Sequence, residues 1–298
     1  MHAFHQILFP VDFSAPCVRT VPFVKEMVRA NAASLTLLHV VEIPAYWYAA
    51  MSPEAPVAWN DFPAIEREAQ ERLSAFGCEH FSDLAKITHV EALCDRGDPG
   101  YAIAAHAEKR EPDLIMMPSH GHGPFRTFLL GSTTSRVLHR AACPVWTGAH
   151  LGTEAIPSGT AAHARIRNIL CAVDLERESR HVLDAAVTLS QMHDAPVRLV
   201  HAIPVPECGP AEDFVSEFDR FLADSAREKM LDLQREAGVD LEVCMQGGPI
   251  SAVVRDTALA RKADIVVIGR GHTHAPLSRL RSNAWSIIRE SPCPVLSV

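Results

Sequence analysis

The chain is an internal duplication, and this repeat constrains its fold more than any other feature. The segment HQILFPVDFS returns later as RNILCAVDLE, and CPVW returns as CPVL. Asp12 precedes its counterpart Asp174 by 162 residues, whereas Cys143 precedes Cys293 by 150 residues. The motif order is kept and the main change in spacing falls within Tyr46–Asp61. A repeat of roughly 140 residues is a whole domain, because solenoid repeats are several times shorter.

Two domains and a linker follow from this repeat. We assign residues 1–148 to the first domain and residues 166–298 to the second. The stretch 149–165 between them is small and polar and has no periodicity, which is typical of a linker. With 298 residues, of which 48% are hydrophobic, the chain can bury two separate cores.

Charge and hydropathy exclude several classes of partner. The net charge of −8 disfavours binding to nucleic acid or to an anionic membrane surface. No apolar run reaches the ~18–20 residues of a membrane span. The amino terminus lacks the basic start and cleavage site of a signal peptide, and the eight cysteines contain no C-x-x-C pair. We therefore expect a cytoplasmic protein with reduced thiols.

Short apolar runs alternate with longer amphipathic segments in both copies, and each continuous apolar run predicts a strand that is buried on both faces. The first copy has such runs at Gln6–Val11, Ser34–Val41, Ile87–Leu93, Asp113–Met117 and Pro144–Thr147. The second copy has them at Asn168–Val173, Val197–Ile203, Asp240–Met245, Asp264–Ile268 and Val295–Val298.

The segments between the predicted strands have helical patterns. Ser14 can cap a helix that runs to about Ala30, with a kink expected at Pro22. A long helix is predicted over Phe62–Asp83, and shorter helices follow Pro99 and Ser132. Strand–helix alternation with short links predicts an α/β fold: two tandem, doubly wound, Rossmann-like domains, each a five-stranded parallel sheet with helices on both faces.

Chemistry-bearing residues of the first copy converge at the carboxyl ends of the predicted strands, where open α/β sheets bind ligands. Asp12 follows the first strand, and the triplet that begins with Gly97 follows the third. The loop after the fourth strand leads into a helix that opens with Gly131 and Ser132. Free amides and the positive end of that helix suit a phosphate group. An ordinary loop with a helix cap is an equally good interpretation of these residues alone.

The whole chain resembles a tandem universal stress protein. The resemblance rests on PVDFS, LHVV, GDP, PDLIMMPSHG and CPV, and on a loop in which Gly121 is followed after nine residues by Gly131 and Ser132. It implies a cytoplasmic, commonly dimeric protein of the stress response that binds ATP or another adenine nucleotide, ADP or AMP.

The resemblance also implies which residues contact the adenosine part of the nucleotide. Asp12 is expected to face the adenosine, with Pro10 and Val11 beside it. The backbone of Val40 is expected to bind the adenine edge, and Gly97 is expected to line the ribose.

A second group of residues is expected to surround the rest of the nucleotide. Three of them would wrap around it and three at the helix start would hold the phosphates. They are, in that order, Met117, His120 and Gly121, then Gly131, Ser132 and Thr133.

Pro118 departs from the family pattern, because it occupies the position of the first glycine of the loop. Proline has no amide hydrogen to donate and its φ is fixed. One lost hydrogen bond is worth about 0.5–1.5 kcal/mol, or roughly tenfold in affinity. We therefore expect weakened binding rather than none.

The second copy departs further from the pattern. Gly269 keeps the first position, but His272 replaces the second glycine, Ser282 the third and Asn283 the following Ser or Thr. Side chains at the glycine positions should crowd a phosphate, so we expect the second copy to be mainly structural. Three arginines of this loop are either anion ligands or solvated surface residues. They are Arg270, Arg279 and Arg281.

Three functional hypotheses are open at this stage. The first is a signalling or stress protein that binds ATP mainly in the first copy and acts on an unidentified partner. In this hypothesis the nucleotide binds either with or without Mg²⁺. The second is a slow ATPase or autophosphorylating enzyme, which the absence of a P-loop lysine disfavours, so no catalytic residue is assigned. The third is a nucleotide-independent scaffold, which Pro118 favours.

Histidines and sheet edges complete the sequence-based expectations. The H-x-H pairs that start at His120 and His272 lack a third ligand, so no metal site is assigned. His39 and His201, at the ends of second strands, are interpreted as hydrogen-bonded structural residues. The last strand of each copy is expected at a sheet edge, where pairing would form a pseudo-dimer within the chain or a homodimer.

Overall fold

The computed structural model describes residues 4–42, 62–84, 90–121, 130–149, 164–203, 212–270 and 282–298. The chain divides into two compact units, and the first contains Phe4–Trp146. The second contains the described residues from 164 onward. The linker stretch expected at 149–165 lies almost entirely outside the described residues.

The first unit is a mostly parallel sheet with helical crossovers. Its elements are β1 (Gln6–Pro10), α1 (Ala15–Asn31), β2 (Ser34–Val41), α2 (Phe62–Phe81), β3 (Val90–Arg96), α3 (Pro99–Arg110), β4 (Leu114–Met117), α4 (Ser132–Arg140) and β5 (Val145–Thr147). The strand order is β3-β2-β1-β4-β5, and β1 pairs in parallel with both β2 and β4.

The second unit repeats this plan. Its elements are β6 (Ile169–Ala172), α5 (Ser179–His193), β7 (Val197–Ile203), α6 (Glu212–Ala237), β8 (Glu242–Gly247), α7 (Ile250–Ala260), β9 (Ile265–Ile268), α8 (Ser282–Glu290) and β10 (Val295–Ser297). The strand order is β10-β9-β6-β7-β8, and β6 pairs in parallel with β7 and β9. The predicted doubly wound α/β fold is confirmed.

The continuous apolar runs at the centre of each sheet are buried in the structure as predicted, but every residue of β8 is half-buried or exposed, so the prediction of burial on both faces is wrong for that strand. All four residues of β4 and all four residues of β9 are shielded from solvent. Strand β3 ends at Arg96, beyond the predicted end at Leu93. None of the helices in the described ranges combines the length and the apolar character that crossing a membrane requires.

Helix α1 begins as predicted but is not interrupted by its internal proline. The Oγ of Ser14 accepts a hydrogen bond from the Cys17 amide at 3.2 Å and caps the helix. The helix then continues through Pro22 to Asn31. The chain that follows β1 therefore leads directly into a capped helix.

A repeated side-chain contact anchors the first strand of each unit. Asp113 Oδ2 accepts hydrogen bonds from the amides of His5 and Gln6, at 2.7 and 2.9 Å. Asp264 binds the two amides that precede β6 in the same way, at 2.8 and 2.9 Å. The central strand of each unit therefore starts against the aspartate that precedes its neighbouring strand.

Replacing Asp113 by alanine should lower the stability of the first unit. The substitution removes the acceptor of two amides at the surface, so we expect a loss of about 1–2 kcal/mol in the free energy of unfolding. Glu108→Ala removes the same charge from an exposed position in α3 and should cost less than about 0.5 kcal/mol. Denaturant unfolding followed by circular dichroism measures both, and equal losses would contradict the anchoring role.

Candidate functional site

The residues predicted to bind a ligand lie along one edge of the first unit. Because β1 stands between β2 and β4, the crossovers that follow β1 and β4 leave in opposite directions and open a crevice at the carboxyl ends of the strands. The predicted residues all lie at those ends or at the start of α4. They are Pro10, Val11, Asp12, Val40, Gly97, Met117, His120, Gly121, Gly131, Ser132 and Thr133.

A tight turn fixes Asp12 at the end of β1. Asp12 Oδ1 accepts a hydrogen bond from the Ser14 amide at 2.9 Å, and Phe13 between them has a φ of 61°. This left-handed conformation is unfavourable for a bulky residue, and it recurs at Leu175 with a φ of 60°. Both units therefore keep a strained turn directly after the aspartate.

Gly121 brings the loop after β4 against this aspartate. A Cβ added at Gly121 would lie 2.5 Å from Asp12 Oδ2, which is closer than two such atoms can approach. Any larger residue at this position would therefore require the Asp12 carboxylate to move. The contact joins residues from two adjacent strands at the crevice, as the motif spacing predicted.

The two ends of the same loop are joined by hydrogen bonds, and the sequence analysis missed Ser119 and Thr134, which take part in them. The Gly131 amide donates to the Ser119 carbonyl at 2.9 Å. The Thr134 hydroxyl donates to the Pro118 carbonyl at 3.0 Å. A Cβ at Gly131 would lie 3.3 Å from the backbone of His120. Pro118 thus contributes its carbonyl to a closed loop base, even though it lacks an amide hydrogen.

Helix α4 begins with main-chain groups directed at this loop. Its N-cap is Gly131, which has no side chain to cap the first turn. Ser132 is exposed and Thr133 is half-buried. The amides of a first helical turn have no partner within the helix, and the helix dipole makes this end positive. The arrangement suits a phosphate or another anion.

The main chain of Val40 faces the crevice side of β2. The register of β1 and β2 ends with Pro10 opposite Leu38, and the Val11 amide donates to the Leu38 carbonyl at 2.8 Å. Backbone groups of alternate residues point to the same side of a strand. Because the Leu38 carbonyl points toward β1, the amide and carbonyl of Val40 also point to that side, but they lie beyond the last paired residue of β1. They can offer a donor and an acceptor to a planar ligand.

Gly97 and Asp98 have structural roles at the end of β3. Gly97 has a φ of 122°, which favours glycine, and its amide donates to the Val41 carbonyl at 3.0 Å. Asp98 caps α3 by accepting from the amides of Gly100 and Tyr101, and it also pairs with Arg136 of α4. Within the described ranges, no group of three or more His, Cys, Asp or Glu residues could hold a metal ion.

His39 and Arg72 form a cluster with Phe13 beside the crevice. The His39 ring lies 4.7 Å from the Phe13 ring, and the Arg72 guanidinium lies 4.1 Å over the Phe13 ring. His39 Nδ1 is 2.7 Å from the Val11 carbonyl, and His201 repeats this contact in the second unit. These histidines are therefore hydrogen-bonded strand-end residues, as the sequence analysis proposed.

Burial lowers the pKa of His39, and the charge of Arg72 lowers it further. The hydrogen bond to Val11 and the charge of Asp12 oppose this shift without reversing it. A neutral ring that donates from Nδ1 has its lone pair on Nε2, so His39 acts as an acceptor at Nε2.

The lowered pKa of His39 predicts a pH dependence of stability. The unfolded chain takes up this proton more readily than the folded one, so the contribution of neutral His39 is complete above its unfolded pKa of about 6.5 and is lost as the pH falls below that value. His39→Gln should therefore flatten the decline of the melting temperature between about pH 7 and pH 5. His5→Gln, at an exposed position, should leave the decline unchanged. Parallel curves for wild type and His39→Gln would contradict the assignment.

The contacts of Gly131 predict a second effect on stability. In Gly131→Ala the new methyl group would press on the backbone of His120, which cannot rotate away, so we expect a loss of about 1–3 kcal/mol. Ser132→Ala changes the adjacent, exposed residue and should cost less than about 0.5 kcal/mol. Thermal unfolding without ligand compares the two variants, and an unchanged Gly131→Ala would show that the loop base is looser than described.

The helix boundaries align the loop before α8 with the loop before α4 differently from the sequence motif. Helices α4 and α8 both contain nine residues. The first residue of α8 comes 150 residues after the first residue of α4, and Cys293 comes 150 residues after Cys143. This pairs Ser282 with Ser132 and Arg281 with Gly131, whereas the sequence motif had paired Ser282 with Gly131. The second copy therefore keeps the serine at the helix start and has an arginine in place of the capping glycine.

The fold, together with the residues at the carboxyl ends of the first unit's strands, defines a tandem α/β protein with a candidate anion site in its first unit. A model of the universal stress protein family matches residues 3–147 and 165–298. The chain therefore belongs to the universal stress protein family, with one copy of the family domain in each matched segment.

Individual relatives agree with this assignment. A universal stress protein of Thermus aquaticus is 31% identical over 136 residues, which is 44% of this chain and 98% of the relative. Universal stress protein A homolog 1 of Coxiella burnetii is 30% identical over 145 residues, which is 49% of this chain and 95% of the relative. A crystal structure of a universal stress protein from Archaeoglobus fulgidus shares the fold, with a TM-score of 0.69 at 17% identity, over 98% of this chain and 97% of that one.

Proposed function

We propose that this universal stress protein binds an adenine nucleotide, ATP in the first instance, in its first unit and acts through this binding in a stress or signalling response. The observation that carries the proposal is the convergence of Asp12, Gly121 and the start of α4 on one crevice. A site of this form supplies a carboxylate at one end and free amides with a positive helix end at the other. Such polarity matches a nucleotide, which carries hydroxyl donors at the ribose and negative charge at the phosphates.

The adenosine part would occupy the strand ends. Asp12 would accept hydrogen bonds from the ribose hydroxyls, and the main chain of Val40 would bind the adenine edge. Pro10, Val11 and Met117 are buried beneath this position and would form its floor, with Gly97 beside the ribose.

The phosphates would lie at the start of α4. The amides of Ser132 and Thr133, with their hydroxyl groups, would donate to the phosphate oxygens. Gly121 and Gly131 allow the backbone to approach without a Cβ, and His120 would contact the nucleotide beside Gly121. Mg²⁺ would bind through the phosphates if it accompanies the nucleotide, because Asp98 is already engaged as a helix cap.

The remaining proposals concern the protein as a whole. We assign the triphosphate to the first unit and none to the second, because the second loop has lost two glycines. A cytoplasmic location, pairing of the last strands within or between chains, and a signalling partner stay predictions from the sequence and the family resemblance.

Titration calorimetry with ATP tests the proposal. We expect one ATP per chain, and we expect Gly121→Ala to weaken binding by about tenfold or more, because the added methyl group displaces Asp12. Gly77→Ala is the matched control, since it makes the same substitution within α2 and should leave ATP affinity unchanged.

Two outcomes would contradict the proposal. The first is an absence of ATP binding to the wild-type protein, which would favour the scaffold hypothesis. The second is equal ATP affinity for wild type and Gly121→Ala, with circular dichroism showing that both are folded, because the nucleotide would then bind elsewhere.

A further inference from the structure

The turn after β1 is packed against side chains from two other elements, and one of them, Arg72, is outside the proposed set of nucleotide ligands. The Phe13 ring of this turn lies 4.7 Å from the His39 ring of β2 and 5.8 Å from the Phe76 ring of α2, between centroids. The Arg72 guanidinium, also from α2, lies 4.1 Å from the centroid of the Phe13 ring. Residues four apart on a helix share a face, so α2 presents Arg72 and Phe76 to the same ring.

The backbone of Phe13 depends on these contacts. Its φ of 61° is a left-handed conformation that is unfavourable for a bulky side chain. Such a conformation persists only where the surrounding structure compensates for its cost. Aromatic pairs in this distance range attract each other, and so do a guanidinium and the face of a ring. The packing around Phe13 therefore stabilises the turn in its observed form.

The same turn sets the direction of the Asp12 carboxylate. Asp12 Oδ1 accepts a hydrogen bond from the Ser14 amide at 2.9 Å, and this bond spans Phe13. A different backbone at Phe13 would move the Ser14 amide and with it the carboxylate. Because Arg72 contacts Phe13, its influence on Asp12 passes through the turn.

Arg72 also acts on His39 by its charge. Burial lowers the pKa of His39, and the positive charge of Arg72 lowers it further, whereas the hydrogen bond to Val11 and the charge of Asp12 raise it. A proton on His39 would place a second positive charge beside Arg72 and would attract the Asp12 carboxylate. Both effects disturb the arrangement that presents Asp12 to a ligand.

Other titratable groups lie near this ring. Cys94 is opposite His39 in the register of β2 and β3. His80 of α2 contacts Phe76, with 4.4 Å between the ring centroids. The charges that shift the pKa of His39 are nevertheless those of Arg72 and Asp12.

The second unit keeps the turn but not the stacked arginine. Leu175 takes the place of Phe13 and has a φ of 60°, and His201 Nδ1 lies 2.9 Å from the Val173 carbonyl. A leucine has no ring face on which a guanidinium can stack. The stacking contact is therefore a property of the unit in which the nucleotide is proposed to bind.

We propose that Arg72 is a positioning residue for nucleotide binding in the first unit. Stacked on Phe13, its guanidinium keeps the turn in the form that presents Asp12 to the ribose hydroxyls. Its charge keeps His39 neutral on mild acidification, so Arg72 extends nucleotide binding to lower pH. This inference rests on the proposed function, because it concerns the same site.

Titration calorimetry with ATP, from about pH 7.5 to about pH 5.5, tests the inference. At the upper pH, Arg72→Ala should weaken ATP binding about two- to fivefold, because the cation no longer stabilises the Phe13 turn. Arg72→Lys keeps the charge and should recover part of this loss. Arg67→Ala is the matched control, since it makes the same substitution at another exposed position of α2, and it should bind ATP like the wild type.

The pH profile separates positioning from a merely structural role. Removing the charge of Arg72 raises the pKa of His39, so the weakening of ATP binding in acid should begin at a higher pH in Arg72→Ala than in the wild type. Titration of the nucleotide itself is common to both proteins and cancels in the ratio of their dissociation constants. An NMR titration of the His39 ring without ligand should show the same order of pKa values.

The outcomes distinguish this inference from the proposed function. Equal ATP affinity of the wild type and Arg72→Ala at every pH overturns the inference alone, and so does a pH profile that Arg72→Ala leaves unchanged while circular dichroism shows both proteins folded. A wild type and an Arg67→Ala variant that both fail to bind ATP overturn the proposed function and this inference with it. Weaker binding by Arg72→Ala, with its profile displaced toward higher pH, supports the positioning role.

Discussion

The contact between Asp12 and Gly121 is the constraint on which the rest of the first site depends. Asp12 is fixed from one side by its hydrogen bond to the Ser14 amide and by the left-handed conformation of Phe13. From the other side, the loop after β4 approaches so closely that a single added carbon at Gly121 would collide with the carboxylate. The crevice is therefore narrow at this point, and main-chain amides and one carboxylate are the groups that it would offer to the proposed ligand.

The two units show which parts of this fold vary independently. The aspartate that anchors the central strand and the histidine at the end of the second strand recur with the same partners in both units. The loop that leads into α4 or α8 differs in its glycines, in its charge and in its length by one residue. The residues that position the crevice are thus the same in both units, whereas the loop residues that would contact a ligand differ, as expected where a fold supports several functions.

Much of this architecture was predictable from the sequence because its signals are local. Continuous apolar runs predicted the strands, and Ser14 predicted the start of α1. The loop spacing placed Gly121 and Gly131 at the same edge as Asp12. The hydrogen bond from Thr134 to Pro118 and the position of Arg72 over Phe13 were not predictable, since both depend on how separate segments pack. The register of Ser282 was missed for a related reason: a one-residue difference in loop length leaves no local mark on the sequence.

Pro118 shows how the structure changes the interpretation of a residue that departs from the family pattern. The sequence suggested a lost hydrogen bond to the ligand, because proline cannot donate. In the folded unit, the carbonyl of Pro118 accepts from Thr134 and the carbonyl of Ser119 accepts from Gly131, so neither hydrogen bond that closes the loop base needs an amide hydrogen at position 118. The geometry at the start of α4 is then held independently of the missing amide, and under the proposed function the amides of Ser132 and Thr133 would be the donors to a phosphate. A proline at this position is therefore compatible with the closed loop base, because the carbonyls of Pro118 and Ser119 accept the hydrogen bonds that hold it.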